Sequence, residues 1–235
     1  MKSLRLFPLF AVLLLASACG PTRYTAADVN LDAIDEFAFF QPYAFITGFD
    51  AENQGFADLE DARVEAQMIT GIINSERYPF TPVIPVNYED RRTDDLAWVT
   101  GFPQVDPTQI ARMRVPRTFR KLLDESGCRY GVVIYANGFI RSKEFLQREA
   151  LVRGVVRILD KVVDEVKGKK KDDIPTYTYI PRSEPYGNRM YLAVIDAETD
   201  RVVSFVKESS FFDSDPMSRS DVTDMVHRLL KDFVR

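Results

Sequence analysis

The stretch CRYGVVIYANGFI, Cys128–Ile140, decides the fold class. Val132, Val133 and Ile134 follow one another, so an extended chain here is apolar on both of its alternating faces. A strand apolar on both faces is one covered on both faces, which is the habit of a central strand between two helical layers. The expectation is therefore an α/β fold, with α+β as the alternative. It is a single three-layer-like domain over residues 35–235 with a central mixed sheet, a C-terminal β-hairpin and a terminal amphipathic helix.

Upstream of that strand, Asp106-Pro107 reads as a helix start, with Asp capping and Pro in the first turn. A helix or broken helix follows through Leu123 and ends at Ser126-Gly127. Between Phe56 and Ser75, the apolar residues Leu59, Ala62, Ala66, Ile69, Ile72 and Ile73 recur at helical spacing. Asp58, Glu60, Asp61, Arg63 and Glu65 fall mostly elsewhere, which predicts a helix burying one face on the sheet. DEFAFFQPYAFITGF (Asp35–Phe49) divides at Pro42 into two short extended pieces. Residues 76–106 read as irregular, with PVIPVNY supplying a short edge strand.

Downstream, Ser142–Lys167 is the longest predicted helix. Val152, Val155, Leu159, Val162 and Val166 alternate three and four apart, a spacing that also suits a coiled-coil seam. Val156, Ile158 and Val163 widen the stripe, and that width favours packing on the sheet within the domain. A long connection spans 168–188. RMYLAVIDA and RVVSFVKES then form a hairpin across Glu198, Thr199 and Asp200. A final amphipathic helix starts near Asp215-Pro216 or Ser220, with Val222, Met225, Val226, Leu229, Leu230 and Phe233 on one face.

The helix-to-strand run KLLDESGCRYGVVIYANG and the hairpin YLAVIDAETDRVVSF with its following helix resemble the periplasmic α/β domain of bacterial outer-membrane lipoproteins related to curli-secretion and penicillin-binding-protein-activator lipoproteins. The resemblance covers about residues 116–140 and 189–234. It implies a strand ending in Asp ("VID") that turns tightly into the returning strand. Asp200 stands where a turn Gly is frequent in that group, and the long insertion between Ser142 and Asn188 departs from its pattern.

The N-terminus reads as an address. Lys2 and Arg5 precede an apolar run, Leu6–Ala16, that is short of the ~20 residues a membrane helix needs. Ala16, Ser17 and Ala18 then give the small-residue exit of a secretory signal. Leu-Ala-Ser-Ala-Cys resembles the lipobox of bacterial lipoproteins, which implies cleavage of residues 1–18 and a diacylglycerol with a further acyl chain such as palmitate on Cys19. Gly20 after the cysteine implies the outer membrane, facing the periplasm. Residues 19–34 read as a tether, with Pro21 and polar residues resisting secondary structure.

Composition narrows the function. Losing Lys2 and Arg5 with the signal takes the formal charge from −4 to −6, which excludes nucleic acid as a main partner. KGKKK, residues 167–171, is a solvated loop flanked by Asp172 and Asp173. With Cys19 lipidated, Cys128 lacks an intramolecular partner and reads as a small buried thiol. One histidine, His227, leaves no zinc site of the usual N and S ligands. Motifs for a nucleophile elbow, a dinucleotide or phosphate loop and a zinc protease are absent. DSDPMSRSD (Asp213–Asp221) lacks the Gly and terminal Glu of a calcium loop and reads as helix capping.

No catalytic residue, metal or cofactor is assigned. A Ser/His pair of Ser209 or Ser210 with His227 is the weakest of the alternatives. Tyr177, Tyr179 and Tyr186, in the long polar connection, are the candidate partner contacts, since tyrosine suits recognition surfaces. The expected function is a lipid-anchored, non-enzymatic accessory or binding module for a protein partner in the envelope. The alternatives are a subunit of a homo-oligomeric envelope secretion or assembly complex, and a hydrolase with an unrecognised site. Replacing Cys19 by Ser is expected to release the protein from membranes washed with salt and carbonate; retention in the pellet would refute the anchor.

Overall fold

The computed structural model describes residues 22–76, 78–86, 94–110, 112–166, 183–208 and 214–233. Its strands are β1 (Thr22–Thr25), β2 (Phe37–Phe40), β3 (Tyr43–Phe49), β4 (Gly55–Asp58), β5 (Phe80–Ile84), β6 (Tyr130–Arg141), β7 (Tyr186–Asp196) and β8 (Arg201–Lys207). Its helices are α1 (Leu59–Ser75), α2 (Asp94–Thr100), α3 (Pro107–Ile110), α4 (Arg117–Ser126), α5 (Lys143–Val166) and α6 (Arg219–Leu230). The strands form one sheet in the order β1-β8-β7-β6-β2-β5, with β3 also on β6 and β4 on β3. β2 is parallel to β5 and β6, and β3 to β6, while the other pairs are antiparallel. The fold is α/β with a mixed sheet.

β6 is the pivot. One edge pairs with β7 throughout; the other pairs first with β2, at Gly131 and Val132, then with β3 from Tyr135 to Arg141. Pro42 sits where the partner changes, at a step that needs no ladder donor. The triplet read from the sequence is covered on both sides. Val132 and Ile134 pack with Ile69 and Ile72 of α1 and Val222 and Val226 of α6. Val133 packs with Phe119 and Leu123 of α4, and with Phe102 and Ile110. Gly131 is where α4 and β2 press closest: a Cβ there would lie 2.5 Å from Phe40 Cε2 and 2.9 Å from Leu123 Cδ2.

Three expectations are corrected. Residues 22–25, read as tether, are β1, paired antiparallel with β8 from Thr22↔Lys207 to Thr25↔Ser204. The open edge of β8 offers unpaired backbone groups, and Thr-Arg-Tyr-Thr supplies strand-forming residues to meet them. Ala26 continues the contact, buried and donating its N–H to Val203 O at 2.8 Å. Residues 76–106 are not irregular throughout, because Asp94–Thr100 is helical and buries Val99, and a 3₁₀ turn at Phe102–Gln104 buries Phe102.

The third concerns α5: among its described side chains, Lys143 to Val155, none is buried, so the expected packing on the sheet is not met over that part of the helix. β6 passes through Ser142 directly into the helix. The helix boundaries expected elsewhere differ slightly. Gly55–Asp58 forms β4 before α1, with Asp58 accepting from Asp61 N at 3.1 Å as the N-cap. Ser218, rather than Asp215 or Ser220, caps α6.

The β7–β8 turn is locked by one carboxylate. Asp196, 1% exposed, accepts from Arg129 Nε and Nη2, each at 3.0 Å, from Glu198 N at 3.0 Å and from Thr199 Oγ1 at 2.9 Å. Asp200 takes the left-handed φ of 57° that a Gly would take more freely. Burial pushes the Asp196 carboxyl up, but Arg129, Thr199 and the Glu198 amide together hold it below its ordinary value. A depressed folded value stabilises above the unfolded pKa and is lost as pH falls through the folded one. Asp196→Ala is expected to cost about 2 kcal/mol at neutral pH, since a buried charge-assisted network is lost. The cost should shrink toward zero in acid, as read by urea unfolding; a pH-independent cost would contradict the lock.

Candidate interaction site

The most exposed apolar surface is on α5. The helix is capped by Ser142, whose Oγ accepts from Phe145 N at 3.2 Å and whose N–H donates to Phe49 O at 2.8 Å. Its first turns make polar contacts to the β3–β4 turn and to Ser183, with Phe145 and Leu146 half-buried. Arg148 Nη1 reaches Ala51 O and Glu52 Oε1, both at 3.3 Å. Glu149 Oε1 accepts from Ser183 N at 3.0 Å and Ser183 Oγ at 3.1 Å. Beyond these, Leu151 is 70%, Val152 56% and Val155 54% exposed. A contiguous apolar stripe in water marks an interaction surface more often than a stray hydrophobe does. A second, smaller spot lies on β4 and the start of α1, where Phe56 and Leu59 are exposed. The Phe56 ring lies against β3 at Gly48, where any Cβ would collide with it.

A buried polar pair lies within the sheet–helix interface. Glu65 of α1 and Asn188 of β7 are both fully buried, and Asn188 Nδ2 donates to Glu65 Oε1. Glu65 Oε2 and Asn188 Oδ1 have no partner among the described residues. Gly138, directly across from Asn188 in the ladder, leaves room for the amide, since a Cβ there would lie 3.4 Å from Asn188 Oδ1 and 3.0 Å from Gly187 O. Burial pushes the Glu65 carboxyl up to about 8, with the Asn188 hydrogen bond opposing and Asp215 reinforcing. A protonated Glu65 offers Oε2–H as a donor, the group that the Asn188 carbonyl lacks. Both members are fully buried, and their hydrogen bond joins α1 to β7.

The other polar features are committed to packing. Tyr43, Tyr135 and Tyr191 form a row across β3, β6 and β7, each neighbouring pair stacked at 5.8 Å between centroids. Lys207 lies over Tyr191 at the row's end and donates to Pro103 O at 3.3 Å. Burial, and then Arg189, lowers its pKa. A shallow cleft of about 470 Å³ lies between α4 and the hairpin turn, lined by Asp124, Cys128, Arg129 and Glu198 among others. A second, of about 590 Å³, runs along α1 beside Gln41 and Pro85.

Of the residues singled out in the sequence, Tyr186 begins β7, half-buried opposite Ile140. Tyr177, Tyr179 and Cys19 lie outside the described residues. Ser209 and Ser210 also lie outside them. His227 is instead paired with Glu76, whose carboxyl the imidazole and then Tyr78 hold below its ordinary value. Cys128 is a half-buried thiol just before β6, its N–H donating to Leu123 O at 3.2 Å. Among the described residues no group of His, Cys, Asp and Glu could hold a metal ion, and no helix is long and apolar enough to cross a membrane.

Two features were missed. Glu65 was read with the polar face, although its spacing from Ala62, Ile69 and Ile72 places it in the apolar stripe. The α5 surface was read as internal.

No protein-family model matches the chain, and no curated relative matches it. Among solved structures, it is similar to the PelC dodecamer from Paraburkholderia phytofirmans, at 10% identity and a TM-score of 0.38, over 92% of this chain and 97% of that one. A single-substitution variant of that dodecamer gives 8% identity and a TM-score of 0.39, over 92% and 98%. At these scores the likeness carries no argument about function.

Glu65 sets a pH test. Its folded value lies above the unfolded 4.5, so the stability Glu65 contributes is fully present below about 4.5 and is lost as pH rises toward about 8. The loss is on the order of a few kcal/mol. Glu65→Gln, which keeps a donor for Asn188 at every pH, is expected to flatten this decline and to be the more stable protein at pH 8. Parallel urea stabilities for parent and variant from pH 5 to 8 would count against the pair.

Proposed function

We propose that this chain is a non-enzymatic binding module of a bacterial cell envelope, held at the outer membrane by lipid on Cys19 and facing the periplasm, which docks a protein on α5. The observation that carries the reading is the exposed stripe of Leu151, Val152 and Val155 on a helix that buries nothing along its first half. Burying such side chains on binding returns about 25 cal/mol per Å² of apolar surface, which favours association. The lipobox-like Leu-Ala-Ser-Ala-Cys supports the anchor. Among the described residues the most strongly shifted carboxylic acid, Glu65, is buried against Asn188, which gives a hydrolase reading less to work with.

Leu151→Asp combined with Val155→Asp is the test. Both positions are exposed, so thermal unfolding should stay close to that of the parent. Chemical cross-links from α5 to protein in native envelopes should be lost. Cross-links that persist unchanged would remove α5 as the working surface.

A further inference from the structure

We propose that the protein docked on α5 is a second copy of this chain, the two helices lying against one another in antiparallel orientation. The proposal rests on the reading of α5 as the docking surface. It adds which partner, and in which direction.

The spacing is the first argument. Val152, Val155, Leu159, Val162 and Val166 alternate three and four apart without a charged residue in the series. That repeat keeps one seam of a helix facing a like seam on another helix. In the structure the first two members of the series stand in water. The seam is also rich in β-branched valine, a weak helix former whose helices depend on packing rather than on propensity. At ~1.5 Å per residue, the 24 residues of α5 extend ~36 Å, ample for several turns of contact.

Charge supplies the direction. The first part of α5 carries Lys143, Arg148, Arg153 and Arg157 against Glu144 and Glu149. The last part carries Asp160, Asp164 and Glu165 against Lys161. The helix is basic at its start and acidic at its end. Two such helices side by side in parallel would set like against like. In antiparallel they set each basic half against the partner's acidic half, and the helix dipoles oppose favourably as well. A twofold axis across the pair generates this arrangement, so one surface serves both copies and the contact closes on itself.

Sedimentation equilibrium of the intact chain in density-matched detergent tests the pair. The parent is expected to be a dimer, and Leu151→Asp with Val155→Asp a monomer of unchanged helical circular dichroism. Reversing the basic half, Arg153→Glu with Arg157→Glu, is expected to weaken the dimer by about tenfold or more. Adding Asp160→Lys and Asp164→Lys should restore it, because the complement is rebuilt with its signs exchanged.

A dimer insensitive to the apolar substitutions, or to charge reversal without rescue, would overturn the proposal. A parent that is monomeric overturns it too. If that monomer still loses its envelope cross-links on Leu151→Asp with Val155→Asp, docking to a different protein stands and only the pair falls. If the cross-links are unaffected, both readings fall.

Discussion

The structure depends on one ladder. β6 and β7 pair over eleven consecutive positions, from Tyr130↔Asp196 to Ile140↔Tyr186. Both ends are pinned: Arg129 holds Asp196 at one, and Arg141 N donates to Pro185 O at the other. A two-residue slip would keep the apolar faces correct yet break both pins and move Asn188 away from Gly138. The buried acid–amide pair is thus a register mark as well as a polar inclusion. It ties the ladder to α1, because Glu65 meets Asn188 in one alignment only.

From that ladder the layers follow. The residues of β6 point alternately to two separate cores, one under α1 and α6 and one under α4 with Phe102 and Ile110. Aromatic side chains fill the margins. Phe37, Phe80 and Phe233 meet edge-on, joining β2, β5 and the C-terminal turn.

What the sequence disclosed, and what it withheld, divides along the range of the interactions involved. Val132-Val133-Ile134 announced a doubly covered strand because the side-chain period is local. Pro42 split β2 from β3 because its missing N–H is local as well, and Gly127 ended α4 through its φ of 75°. The edge strand β1 was illegible because Thr22–Thr25 becomes a strand only when β8, some 180 residues later, presents an edge. Glu65 was misplaced because its charge was weighed above its spacing, and nothing upstream hints at Asn188. For α5 the apolar period was read correctly, but whether a face remained free to receive it is a property of the whole sheet. The proposed partner tyrosines show the same limit: only Tyr186 has a described place, within β7 rather than on a loop.

β1 also shortens the distance between address and domain. Only Gly20 and Pro21 separate Cys19 from Thr22. Three steps of chain reach ~10 Å at most. A lipid on Cys19 would therefore hold the domain directly against the headgroups, with its sheet edge as the fixed point, and would deny it the sweep of a long leash. Strand directions add the orientation. β1 begins beside the end of β8, and β8 ends toward the start of β7, the rim from which α5 departs. The chain enters β1 level with Tyr191 of β7 and Tyr135 of β6 and runs away from the rim that bears α5, so an anchor on Cys19 would lie toward the same end of the sheet as that helix. Encounters through α5 would then take place between neighbours confined to a surface, where two-dimensional crowding raises the effective concentration of partners without any added contact.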